Sequence, residues 1–328
     1  MTSRKLDIVA IGDAIVDVIA TCDDEFLLRH HLPRGSMQLL EPEAADRLYA
    51  AMGAARETSG GSAANSMAGI AAIGVDAAFI GQVANDQLGD IFAHDMRALG
   101  VRFDTPPISE GMPTGRCLIL VTPDGERTMN TCPGASHQLR AEALHYELIA
   151  AAQVLMLEGY LFGPEGPRRA LFRAVEIAHA AGNKVAFTLS ESVCIAGRKD
   201  SFQAMIETGG VDLLFANEDE ALQLTGAADL DGAIVELAPK VPTLVITRGP
   251  AGALAYEDGV RTDVPAVPVE KVIDTTGAGD LFAAGFLAAR CKGHGVERQL
   301  MTGGIAAAEI ISHFGARPVA DLKELVKL

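Results

Sequence analysis

Apolar residues fall in short blocks along this chain, and what separates the blocks differs from one region to the next. Residues 6–11 are apolar apart from Asp7 and end at Gly12, which reads as a buried strand. Residues 13–20 form a second apolar block with Asp17 in its middle. A charge inside an apolar strand is costly unless it has a partner. Neighbouring sugar hydroxyls could both donate to it; an arginine elsewhere, or protection of a sheet edge, would explain it equally well. From residue 77 onward the blocks alternate in kind. Residues 77–83, 154–157, 185–189, 212–215 and 243–247 are strand-like. Amphipathic, helix-like segments lie between most of them, including 168–180, followed by Gly182, and 231–238. This alternation predicts an α/β fold: a doubly wound, mainly parallel sheet with helices on both faces. No Pro/Gly/Ser-rich linker divides the chain, so residues 1–328 are expected to form one domain.

Three pieces break the alternation. Residues 39–40 follow Pro33-Arg34-Gly35, and residues 116–121 and 126–130 flank Thr122-Pro123-Asp124-Gly125, a hairpin signal. They predict a small separate sheet, inserted from about 13–20, 35–41 and 112–131, that lies as a lid over a ligand mouth.

Polar residues gather where strands end: Gly12-Asp13, Glu158-Gly159-Tyr160, Ser190-Glu191-Ser192, Asn217 to Glu220, and Arg248-Gly249. In doubly wound sheets that edge holds the ligand. Two glycine stretches add to it. Ser59-Gly60-Gly61-Ser62-Ala63-Ala64-Asn65 opens a helix that runs to about residue 73 before Gly74, with Ser62 as the expected N-cap. Its paired glycines let a ligand approach the backbone, and Asn65 both donates and accepts; a turn before a tightly packed helix is the plainer alternative. Asp274-Thr275-Thr276-Gly277-Ala278-Gly279-Asp280 follows an apolar run, 264–272, read as a strand, and leads into a helical run, 281–289. Free N–H groups at such a helix start favour an anion. Asp280 beside that cradle is either a helix cap or a base that takes a proton from an attacking hydroxyl. These seven residues leave both open.

Composition narrows the partners. The 328 residues are 49% hydrophobic and 21% charged, with a formal net charge of −16. That balance argues against a nucleic-acid partner, since phosphate backbones need clustered Lys and Arg. No apolar run approaches the roughly 20 residues of a membrane span. Met1-Thr2-Ser3-Arg4-Lys5 has no signal-peptide layout. Five scattered cysteines without a C-x-x-C pair suit reduced thiols in a cytoplasm and offer no zinc site.

Neither a P-loop nor a dinucleotide-binding glycine fingerprint is present. The late motif resembles the D-T-x-G-A-G-D signature of the ribokinase-like family of carbohydrate and nucleoside kinases. Gly60-Gly61 to Asn65 resembles that family's G-G-x-x-x-N signature, and order, separation and chain length agree. The resemblance implies a ribokinase-like fold and an ATP- and magnesium-dependent phosphotransferase acting on a primary alcohol. It implies Asp280 as general base and Gly277, Ala278 and Gly279 as the anion hole for the transferring phosphoryl group. Asp17, Gly60, Gly61 and Asn65, with Asp13, would hold the substrate's hydroxyls. Asn217 and Glu220 match an N-x-x-E motif that orders magnesium, Asn217 through water. Thr247, Arg248, Gly249 and Thr275, with Gly277 and Gly279, would face the nucleotide's phosphates; Ala306, Ala307, His313 and Gly315 fall where the family lines its adenine pocket. Some members take a monovalent cation near Asp274 and Thr276, so potassium joins the expected ions.

Phe187-Thr188-Leu189-Ser190 and Phe215 to Ala221 look like the adenosine kinase branch, with Leu39, Met129, Tyr160 and Phe162 as candidate walls for a purine. Asp13 and Thr276 depart from that branch, where asparagine often stands. Adenosine is therefore the first expectation and a free furanose, ribose or fructose, the second. A non-catalytic nucleoside- or sugar-binding regulator is the third, disfavoured by the intact Asp280 and glycine cradle. A monomer or a homodimer paired through lid edges is expected.

Overall fold

The computed structural model describes residues 6–328, so Met1–Lys5 lie outside the described residues. Strand Ile8–Ile11 shows how the sheet is built. Successive side chains point to opposite faces. Ile8 and Ala10 join one apolar cluster, while Val9 and Ile11 join the other. A strand buried on both sides must be apolar throughout, which is why these strands appear as unbroken blocks rather than alternating ones.

Across the main sheet the order is Val260–Val264, Ala253–Glu257, Thr243–Thr247, Leu213–Asn217, Lys184–Thr188, Val154–Glu158, Ile8–Ile11, Ala77–Ile80 and Arg102–Phe103. All neighbours pair in parallel except at one edge, where Ala253–Glu257 pairs antiparallel with both Thr243–Thr247 and Val260–Val264. Helices Ser62–Ile73, Ala278–Cys291 and Val296–Ile310 contribute to one apolar cluster; Glu165–Ala180, Ser192–Glu207, Glu218–Thr225 and Leu230–Leu237 contribute to the other. The fold is α/β, a large, mostly parallel sheet between helices plus a second, smaller sheet. The strand order reverses between Ile8–Ile11 and Val154–Glu158, and in sheets of this kind the ligand site lies at the carboxyl ends of the strands at such a point.

The second sheet has the order Met37–Leu39, Arg127–Cys132, Gly115–Val121, Ile15–Thr21, Arg56–Gly60. Val16, Val18 and Ala20 face the main apolar cluster. Ile15 lies on the opposite face in a small cluster with Cys117 and Ile119, where Ile19, Val121 and Met129 pack. Asp17 alternates onto that second face, paired with Cys117.

Several expectations need correction. The run 264–272 is not a strand: pairing stops at Val264 and no regular element follows until Ala278. Pro265 and Pro268 lack the N–H a ladder needs. Strand Arg56–Gly60, polar in sequence, was not visible in the hydrophobic pattern. Phe162 lines no ligand wall. Its ring is fully buried, 5.0 Å from both Phe187 and Phe202, in an aromatic core under the sheet.

Candidate active site

Ser62–Ile73 and Ala278–Cys291 bring the two glycine motifs together. Gly277, with φ +79°, is the N-cap of the second helix, which places Asp280 in its first turn. Asp280 caps nothing. Its Oδ1 accepts from Ser62 Oγ at 2.6 Å and its Oδ2 from Asn65 Nδ2 at 2.9 Å. Ser62 in turn is not a cap: Gly61 holds that position, and Ser62 is the first helical residue, free to serve Asp280. Burial raises the pKa of Asp280, while the bonds from Ser62 and Asn65 and the charge of Arg317 oppose the rise. A Cβ built on Gly279 would meet nothing within 4 Å, so the backbone of this helix start lies open to a ligand.

The paired glycines have separate reasons. A Cβ on Gly60 would lie 2.5 Å from Asp17 Cγ, so the carboxylate rests on the bare backbone. Gly61 takes φ +95° and lies against the carbonyl of Asp13. Asp17, its pKa raised to about 6 by burial against the pull of Arg317 and Arg127, shares the cleft with Asp280. Asp13 sits at the sheet's reversal point: its N–H donates to Glu158 Oε1 at 2.6 Å, and Glu158 Oε2 accepts from the Ala63 N–H at 2.7 Å. Glu158 is fully buried, and burial, with the charge of Asp13, lifts its pKa well above the usual range. Asp13 Oδ1 is buried without a hydrogen-bond partner, and Oδ2 is 4.0 Å from His137 Nε2. A buried acceptor with no partner suits a ligand's donor.

Asp274 supports the glycine turn from beneath. Its Oδ1 accepts from Thr276 N and Oγ1, at 3.0 and 2.7 Å, and its Oδ2 from Gly315 N and Arg127 Nη1, at 2.9 and 2.7 Å. Burial works against the charge, yet the Gly315 and Thr276 bonds and Arg127 hold the pKa below the ordinary value. Four donors on one carboxylate leave no acceptor for a monovalent cation there, so these residues do not fit potassium at Asp274.

On the other side of the sheet edge, Asn217 and Glu220 form a capping box. Asn217 Oδ1 accepts from Glu220 N at 2.8 Å, and Glu220 Oε2 accepts from Asn217 N at 2.9 Å. Burial raises the pKa of Glu220. Among the described residues no group of three or more His, Cys, Asp or Glu is placed to hold a metal ion. The pair fits magnesium held through water and substrate phosphates, with Glu220 keeping Oε1 outside the box. Thr247 ends its strand, Arg248 pairs with Asp263 at 3.1 Å, and Gly249 opens with φ +51°. Thr275 is exposed at the turn, and Ala307 is half-buried on Val296–Ile310. His313 Nε2 lies 3.0 Å from Glu309 Oε1.

Arg127, Arg317 and Glu158 hold this site together, and the motifs do not show the two arginines. Each is a lone basic residue far from the glycines in sequence; only Glu158, at a strand's carboxyl end, carried a positional signal.

The family model described as pfkB family carbohydrate kinase matches residues 5–322. Guanosine-inosine kinase of Escherichia coli (strain K12) is 31% identical over 256 residues, which cover 75% of this chain and 58% of that protein. The chain thus spans less than two-thirds of that relative's length. A solved adenosine kinase from Sinorhizobium meliloti is 42% identical with a TM-score of 0.92, covering 99% of each chain. A probable sugar kinase from Rhizobium etli CFN 42 is 41% identical with a TM-score of 0.92, covering 98% of each.

Proposed function

The chain belongs to the pfkB family of carbohydrate kinases, and from that premise we propose that it transfers the γ-phosphoryl group of ATP to the primary hydroxyl of adenosine. The observation that carries the chemistry is the position of Asp280: in the first turn of a helix whose N-terminus is an open anion cradle, and facing Ser62 and Asn65. Asp280 takes the proton from the acceptor hydroxyl as that oxygen attacks the γ-phosphorus. Each carboxylate oxygen gives one lone pair to its fixed donor and keeps another for the proton. In a loose transition state deprotonation is late, so orientation contributes more than basicity. The N–H groups at Gly277 to Gly279 stabilise charge on the equatorial oxygens, assisted by the helix dipole. Arg127, drawn from the lid to the base of the same turn, adds positive charge on the lid side. Asp17 and Asn65 bind the ribose hydroxyls and Asp13 a further donor. Thr247, Arg248, Gly249 and Thr275 bind the nucleotide's phosphates; Ala307 and His313 border its base. Magnesium, ordered through water by Asn217 and Glu220, would neutralise phosphate charge when bound.

Adenosine as acceptor is supported by the 42% identity to the S. meliloti adenosine kinase over the full chain. The apolar lid face at Ile15, Ile119 and Met129 also suits a flat base more than a free sugar. An ADP-release screen over adenosine, guanosine, inosine, ribose and fructose tests it. The expected result is a kcat/KM for adenosine at least tenfold above every other acceptor. A guanosine or inosine optimum would move the acceptor to the E. coli relative's class, and a ribose or fructose optimum would overturn the nucleoside reading.

A further inference from the structure

The loop after Val296–Ile310 returns one guanidinium to the cleft. Arg317 Nη1 donates to Asn65 Oδ1, while Nη2 donates to Ser59 O at 2.7 Å and to Ser59 Oγ at 3.1 Å. Asn65 uses the other end of its amide on Asp280, at 2.9 Å. Three groups therefore stand in series, guanidinium to amide oxygen, amide nitrogen to carboxylate. An asparagine amide can turn over and exchange its donor and acceptor ends. Here only one orientation works, because the reverse would set the NH2 group against the guanidinium and the oxygen against the carboxylate.

We propose that Arg317 is a positioning residue for phosphoryl transfer, acting through Asn65 to aim Asp280. The proposal rests on the kinase reading above. It draws on a second observation: the loop is tied down on both sides of Arg317. Gly315 N donates to Asp274 Oδ2 at 2.9 Å, and Glu309 Oε1 accepts from the Val319 and Ala320 N–H groups at 2.9 and 2.8 Å. Asp17, Asp95 and Asp280 surround the guanidinium, and Arg127 is the other cation near Asp17. Asp95 is committed elsewhere, accepting from Ser59 N at 2.9 Å. A site with two carboxylates must admit a phosphoryl group, and one fixed cation offsets part of that repulsion. Lysine cannot replace it fully, since an ammonium lacks the fork that reaches Asn65 and Ser59 together.

Arg317→Met and Arg317→Lys test this in the full chain. In Arg317→Met, kcat is expected to fall about 100-fold, with the KM for ATP within twofold of the parent. The acid limb of the pH–kcat/KM profile should move to higher pH, because loss of the cation eases protonation of Asp17 and Asp280. Arg317→Lys should keep the limb near its parental position and recover part of kcat. A crystal structure of Arg317→Met should show the Asn65 amide turned or displaced from Asp280. A kcat within threefold of the parent with an unmoved limb would overturn the proposal. If the parent protein phosphorylates no acceptor in the screen, the kinase reading fails by itself. The Arg317→Met structure then decides alone, an Asn65 amide unchanged on Asp280 refuting the positioning role.

Discussion

Asn65 Nδ2 donates to Asp280 Oδ2 at 2.9 Å, a contact between side chains 215 residues apart in the chain. It joins the first turns of two helices and so ties the two glycine motifs together, on the proposed reading the substrate side to the phosphate side. On that reading the acceptor's hydroxyl and the cradle for the phosphate therefore share one frame, and the loop that carries Arg317 sets the aim of the base through Asn65.

Asp280→Asn keeps the shape of this contact and removes the proton acceptor. We expect kcat to fall by about 10²–10⁴-fold. The KM for ATP should stay close to the parent's and the far-ultraviolet circular dichroism should be unchanged. Near-normal turnover in steady-state assays would remove Asp280 as the base.

Asp17 gives a pH dependence. Its folded pKa, about 6, stands above the ordinary carboxylate value of 3.8. The protonated form is therefore favoured by the fold, and the stability this contributes is complete below about pH 4 and lost as pH rises through 6. Asp17→Asn should accordingly raise the melting temperature more at pH 7 than at pH 4. Acceptor binding needs the carboxylate, so kcat/KM for the acceptor should rise through pH 6 in the parent enzyme. Asp17→Ala should raise the acceptor KM far more than the ATP KM; equal effects would assign Asp17 to structure.

Gly60→Ala puts a methyl group 2.5 Å from Asp17 Cγ. Neither the carboxylate nor the strand end can give way freely, so about 1–3 kcal/mol of strain is expected. The measurable outcome is a raised acceptor KM at a modest cost in melting temperature. An unchanged KM would show that Asp17 moves aside without consequence for binding.

Saturation of Asp274 by Thr276, Gly315 and Arg127 predicts indifference to potassium. Turnover in tetramethylammonium buffer, with magnesium held constant, should match turnover in potassium within twofold. Activation above fivefold would mean that the Arg127–Asp274 pair opens in the working enzyme and yields its place.

Much of this protein was determined locally, by residue type and spacing. Unbroken apolar blocks such as Ile8–Ile11 state burial on both faces, because a parallel sheet under two helix layers tolerates nothing else. Gly61 and Gly277 take positive φ, a demand of their own backbone, whereas Gly60 is bare because Asp17, far from it in the chain, rests against it. The Asp258-Gly259 turn, with φ of 52° and 78°, carries the signal for the antiparallel edge hairpin, although the strand–helix alternation passes over it. Arg56–Gly60 is different. Its polar residues form a strand only because Ile15–Thr21 offers an edge to pair with. Phe162, expected as a wall for a purine, went to the core because Phe187 and Phe202 surround it. Arg127 and Arg317 acquire meaning only once folding places them beside Asp274 and Asn65. A backbone requirement is met by the residue that has it, but a counter-charge can come from anywhere in the chain, so tertiary packing alone selects which cation serves which carboxylate.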